Sequence, residues 1–109
     1  MLAGSGMVKA VPPGVVEGHL VVIEPEKAPG PPNGREFYQE YPLVVLSQDG
    51  QTQIARVTAG DGGAYRVALS PGAYILDAQD RVQRQLRVRP QPFVVRSNQT
   101  VRVDMLISL

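Results

Sequence analysis

The sequence predicts an all-β fold, a seven- to eight-stranded antiparallel Greek-key β-sandwich, and three observations carry that expectation. Valine is the commonest residue, sixteen of 109, and Trp is absent, so the core is built mainly from β-branched aliphatics that favour strands. Apolar and polar residues alternate with period two in several windows. Gly and Pro together fill 21 of 109 positions, enough to punctuate many short strands yet below the roughly 25 to 30% that signals a chain without a core.

The first strand is expected over residues 18–24, where Gly18 and Leu20 face inward and His19 faces solvent. Asp49-Gly50 stands between LVVLS and TQIARV, a two-residue signal for a primed turn joining antiparallel strands. Tyr65, Val67 and Leu69 alternate with Arg66, Ala68 and Ser70, and after Pro71-Gly72 the pattern resumes with Tyr74, Leu76 and Ala78, which predicts a second hairpin. Pro71 pre-sets the first φ of that turn and Gly72 is expected at positive φ. Shorter strands are expected over residues 84–89 and 92–96, kept apart by Pro90 and Pro92. Val101, Val103, Met105 and Ile107 alternate with Arg102, Asp104, Leu106 and Ser108 in the clearest strand of the chain. No window carries a capped 3.6-residue period.

One domain is expected over residues 15–109, with a long Pro-rich loop at 25–41, and residues 1–14 read as a flexible N-terminal segment or a cloning remnant. Leu2-Ala3-Gly4 matches the run before a lipoprotein cleavage site, but Ser5 stands where the lipidated Cys belongs. The longest apolar runs, Leu20 to Ile23 and Leu43 to Leu46, fall far short of the roughly 20 residues that span a bilayer, so no membrane insertion is expected. Zero Cys removes thiol catalysis, thiolate metal sites and disulfides. The formal charge is +1, but residues 1–54 carry −3 and residues 55–109 carry +4. The densest basic stretch, RVQRQLRVR over 81–89, has no interleaved aromatic and reads as a solvated strand face, not a nucleic-acid site.

Gly18-x-Leu20, Thr58, the run Asp61-Gly62-Gly63-Ala64-Tyr65-x-Val67-x-Leu69-x-Pro71-Gly72-x-Tyr74-x-Leu76 and the alternating terminal strand together resemble the carboxypeptidase regulatory-like domain. The resemblance covers most of residues 15–108 and is most specific from Tyr65 to Leu76. It implies a transthyretin-like, or prealbumin-like, sandwich and a non-catalytic interaction or structural module of a secreted or cell-envelope protein. An extracytoplasmic location, in the periplasm, at the cell surface or secreted, rests on this resemblance alone.

Where that family has a short turn, this chain has the 25–41 loop, and connections longer than about 12 to 15 residues are commonly functional. Phe37, Tyr38 and Tyr41 lie there and are the candidate ligand- or partner-binding residues. The competing reading is that they fold back as a lid over an open end of the sandwich. Between the two, Tyr41, beside Pro42 and a strand, is expected to be buried and Tyr38 exposed. A carbohydrate-binding module using these aromatics is the alternative function, disfavoured by the lack of Trp.

No catalytic residues, metal site or cofactor is expected. His19 is the only His and no G-x-S-x-G elbow occurs. Gly60, Gly62 and Gly63 lack the Lys-Ser/Thr of a phosphate loop, and Asp49, Asp61, Asp77 and Asp80 match no calcium-loop spacing. A Lys-to-Asn isopeptide bond, found in pilin and adhesin modules of similar shape, would use Lys9 and Asn98, but both fall outside strand centres and Ala78 stands where the carboxylate is needed. Val21, Ile23, Val44 and Leu46 fall on the faces opposite the core, which predicts cover by the loop or by a second chain, hence a protein partner or homodimer.

Overall fold

A computed structural model describes residues 11–24 and 34–109 of the chain. Among these residues nine strands form two packed sheets. Strands β1 (Gly14–Ile23), β4 (Ala64–Leu69), β6 (Arg87–Val88), β8 (Thr100–Arg102) and β9 (Met105–Ser108) make one, and β2 (Leu43–Ser47), β3 (Gln53–Val57), β5 (Gly72–Ala78) and β7 (Gln91–Val95) make the other. The second sheet runs in the order β3-β2-β5-β7. The first runs β4-β1-β9-β6, with β8 beside the front half of β1. β8 and β9 are two halves of the single terminal strand expected from sequence, which brings the architecture to the anticipated β-sandwich.

Alternation is what lets this sequence close a sandwich. Val16, Leu20, Tyr65, Leu69, Met105 and Ile107 come inward from the first sheet, and Leu43, Val45, Leu76, Phe93 and Val95 from the second, all buried. Tyr74 stacks on Phe93 with ring centroids 5.7 Å apart. The 3₁₀ turn Asp61–Gly63 leads into β4.

Three local expectations are corrected. Residues 65–78 are not a hairpin: β4 pairs with β1, whereas β5 pairs with β2 and β7, so Ser70-Pro71 carries the chain from one sheet to the other. Tyr65 and Tyr74 therefore meet the core from opposite sheets. Gly72 has no positive φ; among the described glycines that conformation belongs to Gly50, Gly62 and Gly63. The hairpin at Asp49-Gly50 is real, but φ is positive at Gly50 and not at Asp49, and Gly50 N–H donates to Ser47 C=O at 2.8 Å. The turn is thus not of the primed type. Asp49 holds it by accepting from Ser47 Oγ at 2.6 Å and Gln51 N–H at 2.9 Å, the serine contact first drawing its carboxyl below the usual range.

Pairing is antiparallel except along β1, which runs parallel to β8 (Val15 opposite Thr100) and to β9 (Leu20 opposite Met105). The basic stretch is strand only at Arg87–Val88, because residues 80–85 form turns held by Arg84 N–H to Asp80 C=O and Leu86 N–H to Arg81 C=O. Among the residues expected in a loose N-terminal segment, Pro12 C=O accepts from Ser97 Oγ at 2.8 Å and Pro13 C=O from Asn98 N–H at 3.0 Å. Residues 1–10, including Lys9 and the Leu2-Ala3-Gly4 run, lie outside the described residues, as do 25–33 of the Pro-rich loop.

Candidate functional site

The described part of the expected recognition loop folds as one short helical turn, α1 (Arg35–Tyr38), and the chain then turns into β2. A turn this short has little intrinsic stability and is fixed by tertiary contacts. Arg35 N–H donates to the Asp61 carboxylate at 2.7 Å, satisfying one free donor at the turn's start, and Tyr41 N–H closes on Tyr38 C=O at 3.0 Å. Phe37 packs edge-on to Tyr38 (5.1 Å between centroids) and against Tyr41 (5.5 Å). Arg84 lies 5.0 Å from the Tyr41 ring centroid and donates to Glu40 C=O at 2.6 Å.

These aromatics form a cap on the core. Tyr41 is buried as expected, at 9% exposure, and burial, with Glu24 and Glu40 adding to it, raises its hydroxyl pKa. Tyr38 is also buried, at 7%, which reverses the expected exposure. The cause is Gly63: at φ +85° it brings the 3₁₀ turn so close that a Cβ would stand 2.2 Å from Leu20 O and 3.2 Å from Tyr38 Cζ. Phe37 is half-buried against the same cluster. The structure thus brings all three candidates together, but as a lid whose rings spend most of their surface on one another and the core.

Sequence reasoning missed a second constellation, on the outer face of the first sheet. His19 points to solvent there, as expected, with Nδ1 3.0 Å from Arg102 Nη2. Asp104 accepts from His19 N–H at 2.9 Å, the main cause of its lowered pKa, and pairs with Arg102 at 3.2 Å. Glu17 and Arg66 form an ion pair across β1 and β4 at 2.5 Å. The stitch between β1 and the β8–β9 junction explains Gly18: a Cβ there would lie 1.9 Å from Val103 O. That same carbonyl accepts the Tyr65 hydroxyl, and burial, then Asp104, pushes the Tyr65 pKa up to about 12. Each carboxylate in this set already has a donor, so the set ties β1 to β4 and to the β8–β9 junction.

Further along the same face the surface turns apolar. Val21 lies opposite Leu106, both about half exposed at 50% and 53%, and Ile23 follows. On the second sheet Val44 is buried, between Arg56 and Asp77 in register, and Leu46 is half-buried, so of the outward apolar residues expected to need cover Val44 is covered within the domain while Val21 and Ile23 stay exposed. Asp77 is itself buried and held by Arg81 Nε at 2.9 Å. An open groove of about 670 Å³ runs past Arg87, Arg89, Asp104 and Leu106. Among the described residues no group of three or more His, Cys, Asp or Glu side chains is placed to hold a metal ion, and no helix is long and apolar enough to cross a membrane.

Neither a family model nor a curated protein sequence matches the chain. Its β-sandwich fold is shared with domains of several solved proteins. It is similar to GBS52, a minor pilin of Streptococcus agalactiae, with TM-score 0.59 and 14% identity over 91% of this chain and 45% of that one. It is also similar to the TIE protein of Bacillus anthracis (TM-score 0.55, 14% identity, 89% of this chain, 16% of that one). A DUF3823 family protein of Parabacteroides merdae follows at TM-score 0.53 and 18% identity, covering 89% of this chain and 46% of that one. The chain spans less than half the length of each of these solved proteins.

Proposed function

We propose that this chain is a non-catalytic interaction or structural module of a protein at the cell surface or otherwise outside the cytoplasm. The observation that carries the reading is what the polar and aromatic side chains do. Glu17, Asp49, Asp77 and Asp104 are each engaged by a donor inside the domain, and Tyr38 and Tyr41 pack into the core. The chemistry-bearing residues are thus used to make a rigid block whose outer faces are what a partner meets. Likeness of fold to a minor pilin supports an envelope setting, and the Tyr65–Leu76 run supports kinship with the carboxypeptidase regulatory-like domain within the wider sandwich class. Sugar stacking calls for open ring faces, whereas Phe37, Tyr38 and Tyr41 cover one another.

The test is labelling of intact producing cells with a membrane-impermeant amine reagent, reading Lys9 and Lys27 by mass spectrometry. Modification without lysis is expected. Modification only after lysis would refute the location.

A further inference from the structure

Among the described residues β3, β4, β6, β7 and the short β8 each leave one side unpaired, and an unpaired edge invites another strand unless something blocks it. Four of the five are blocked here, β8 by being only three residues long. β3 carries a bulge, the register slipping between Val45 and Leu46 so that Ile54 has no partner. β6 is two residues long and stops before Pro90. β7 contains Pro92, which has no N–H to offer. β4 has none of these: it is six residues long, without Pro, and pairs with β1 in unbroken register from His19–Ala64 to Gly14–Leu69.

Hydrogen bonding along β1 fixes which β4 groups point into the open. Val15 N–H donates to Gln99 C=O, Glu17 C=O accepts from Val103 N–H, and His19 N–H donates to Asp104, so the odd residues of β1 face β8 and β9. Val16 and Gly18 therefore face β4, where Val67 and Tyr65 answer them. Arg66 and Ala68, of the other parity, turn N–H and C=O outward. Ala64 shares that parity, and its C=O indeed looks away from β1, accepting from Gly60 N–H at 2.8 Å.

We infer that β4 is an association edge and that its occupant is β4 of a second copy, antiparallel about a two-fold axis at Val67. The inference names the partner surface of the interaction module proposed above. In this register Arg66 lies opposite Ala68 of the partner subunit and the reverse, and each pair exchanges two N–H···O bonds, four in all. The guanidinium meets a methyl group and stays with its own Glu17. A register centred on Arg66 would set two guanidiniums directly opposite, a like-charge pair that disfavours it. The edge is thus complementary to itself, as a two-fold contact must be, and the two first sheets join into one continuous sheet.

Sedimentation equilibrium of the full chain over a concentration series tests this with two variants of the exposed Ala68. Ala68→Glu sets a carboxylate opposite Arg66 of the partner subunit and should tighten the dimer about three- to tenfold, and Ala68→Lys should weaken it by a similar factor. Thermal melts establish that each variant folds; if the lysine variant does not, the glutamate variant decides alone. A wild-type chain monomeric up to about 1 mM overturns the inference, and so does a dimer whose Kd neither variant moves. Either failure leaves the surface-module reading standing, and labelling only after lysis would overturn that reading without touching the dimer.

Discussion

Tyr65→Phe isolates the bond that closes the first sheet. The Tyr65 hydroxyl donates to Val103 C=O, the carbonyl that also lies against Gly18, while the ring is 5% exposed and stays in place in the variant. Losing a net hydrogen bond costs about 1 kcal/mol, and leaving a partly buried carbonyl without a donor brings the expected loss to about 2 kcal/mol at pH 7. The second signature is in pH. Burial raises the Tyr65 pKa to about 12, from 10.0 when unperturbed, so the unfolded chain gives up this proton first. The stability the group contributes is complete below pH 10 and is lost as pH rises through the folded value, at most about 1.4 kcal/mol per pH unit and about 2 kcal/mol in all once solvent near the hydroxyl is allowed for. Urea denaturation at pH 7, 9 and 11 reads both effects, since the raised Tyr41 pKa is common to both proteins and cancels. The wild-type advantage should be about 2 kcal/mol at pH 7 and 9 and shrink at pH 11. A variant as stable as wild type at pH 7, or a gap that stays constant to pH 11, would refute the reasoning.

Gly18→Ala should cost about 3 kcal/mol or more by chemical denaturation, because the new methyl would stand 1.9 Å from a backbone oxygen that β1 pairing holds in place. Gly63→Ala, at φ +85° and 2.2 Å from Leu20 O, should be equally severe, whereas Gly72→Ala, whose methyl would meet nothing nearer than Tyr74 Oη at 3.6 Å, should change stability by less than about 0.5 kcal/mol. Thermal melts of Tyr38→Ala and Tyr41→Ala should both fall, by about 3 to 5 kcal/mol each, the Tyr38 loss at least as large; an unaffected Tyr38→Ala would restore the exposed, binding role for that ring.

The strands were legible because period-two alternation is a local signal, and Met105, Ile107, Leu69 and Leu76 all sit on the expected inner face. Partnership between strands was not. Leu69-Ser70-Pro71-Gly72 reads the same whether the chain doubles back within a sheet or steps across to the other, since in both cases the inward residues alternate and a Pro-Gly breaks the run. The one hairpin among the described residues carried its own marker, Asp49-Gly50, with Gly50 at positive φ. Tyr38 was misplaced for a similar reason: its burial depends on Gly63, 25 positions away, approaching Leu20. Gly18 was read as inward from its place beside Leu20, but nothing in residues 14–23 announces the Val103 carbonyl that forbids a side chain there. The outer-face set of His19, Arg102 and Asp104 is likewise assembled only when the first and last strands meet.

That meeting has a mechanical consequence. β1 begins at Gly14 and runs parallel to β8 and β9, whose end is Ser108, with seven register pairs between Val15–Thr100 and Ile23–Ser108. Tension applied through the two ends of the domain pulls β1 and β9 past each other lengthwise, so the bonds from Val15 N–H to Gln99 C=O through Leu109 N–H to Ile23 C=O share the load and must fail together instead of opening one by one. Resistance to such pulling is set by the unfolding rate and not by the equilibrium free energy. A module of only modest thermodynamic stability, strung in series between neighbours and loaded along this axis, would hold its shape under force for far longer than its melting temperature suggests.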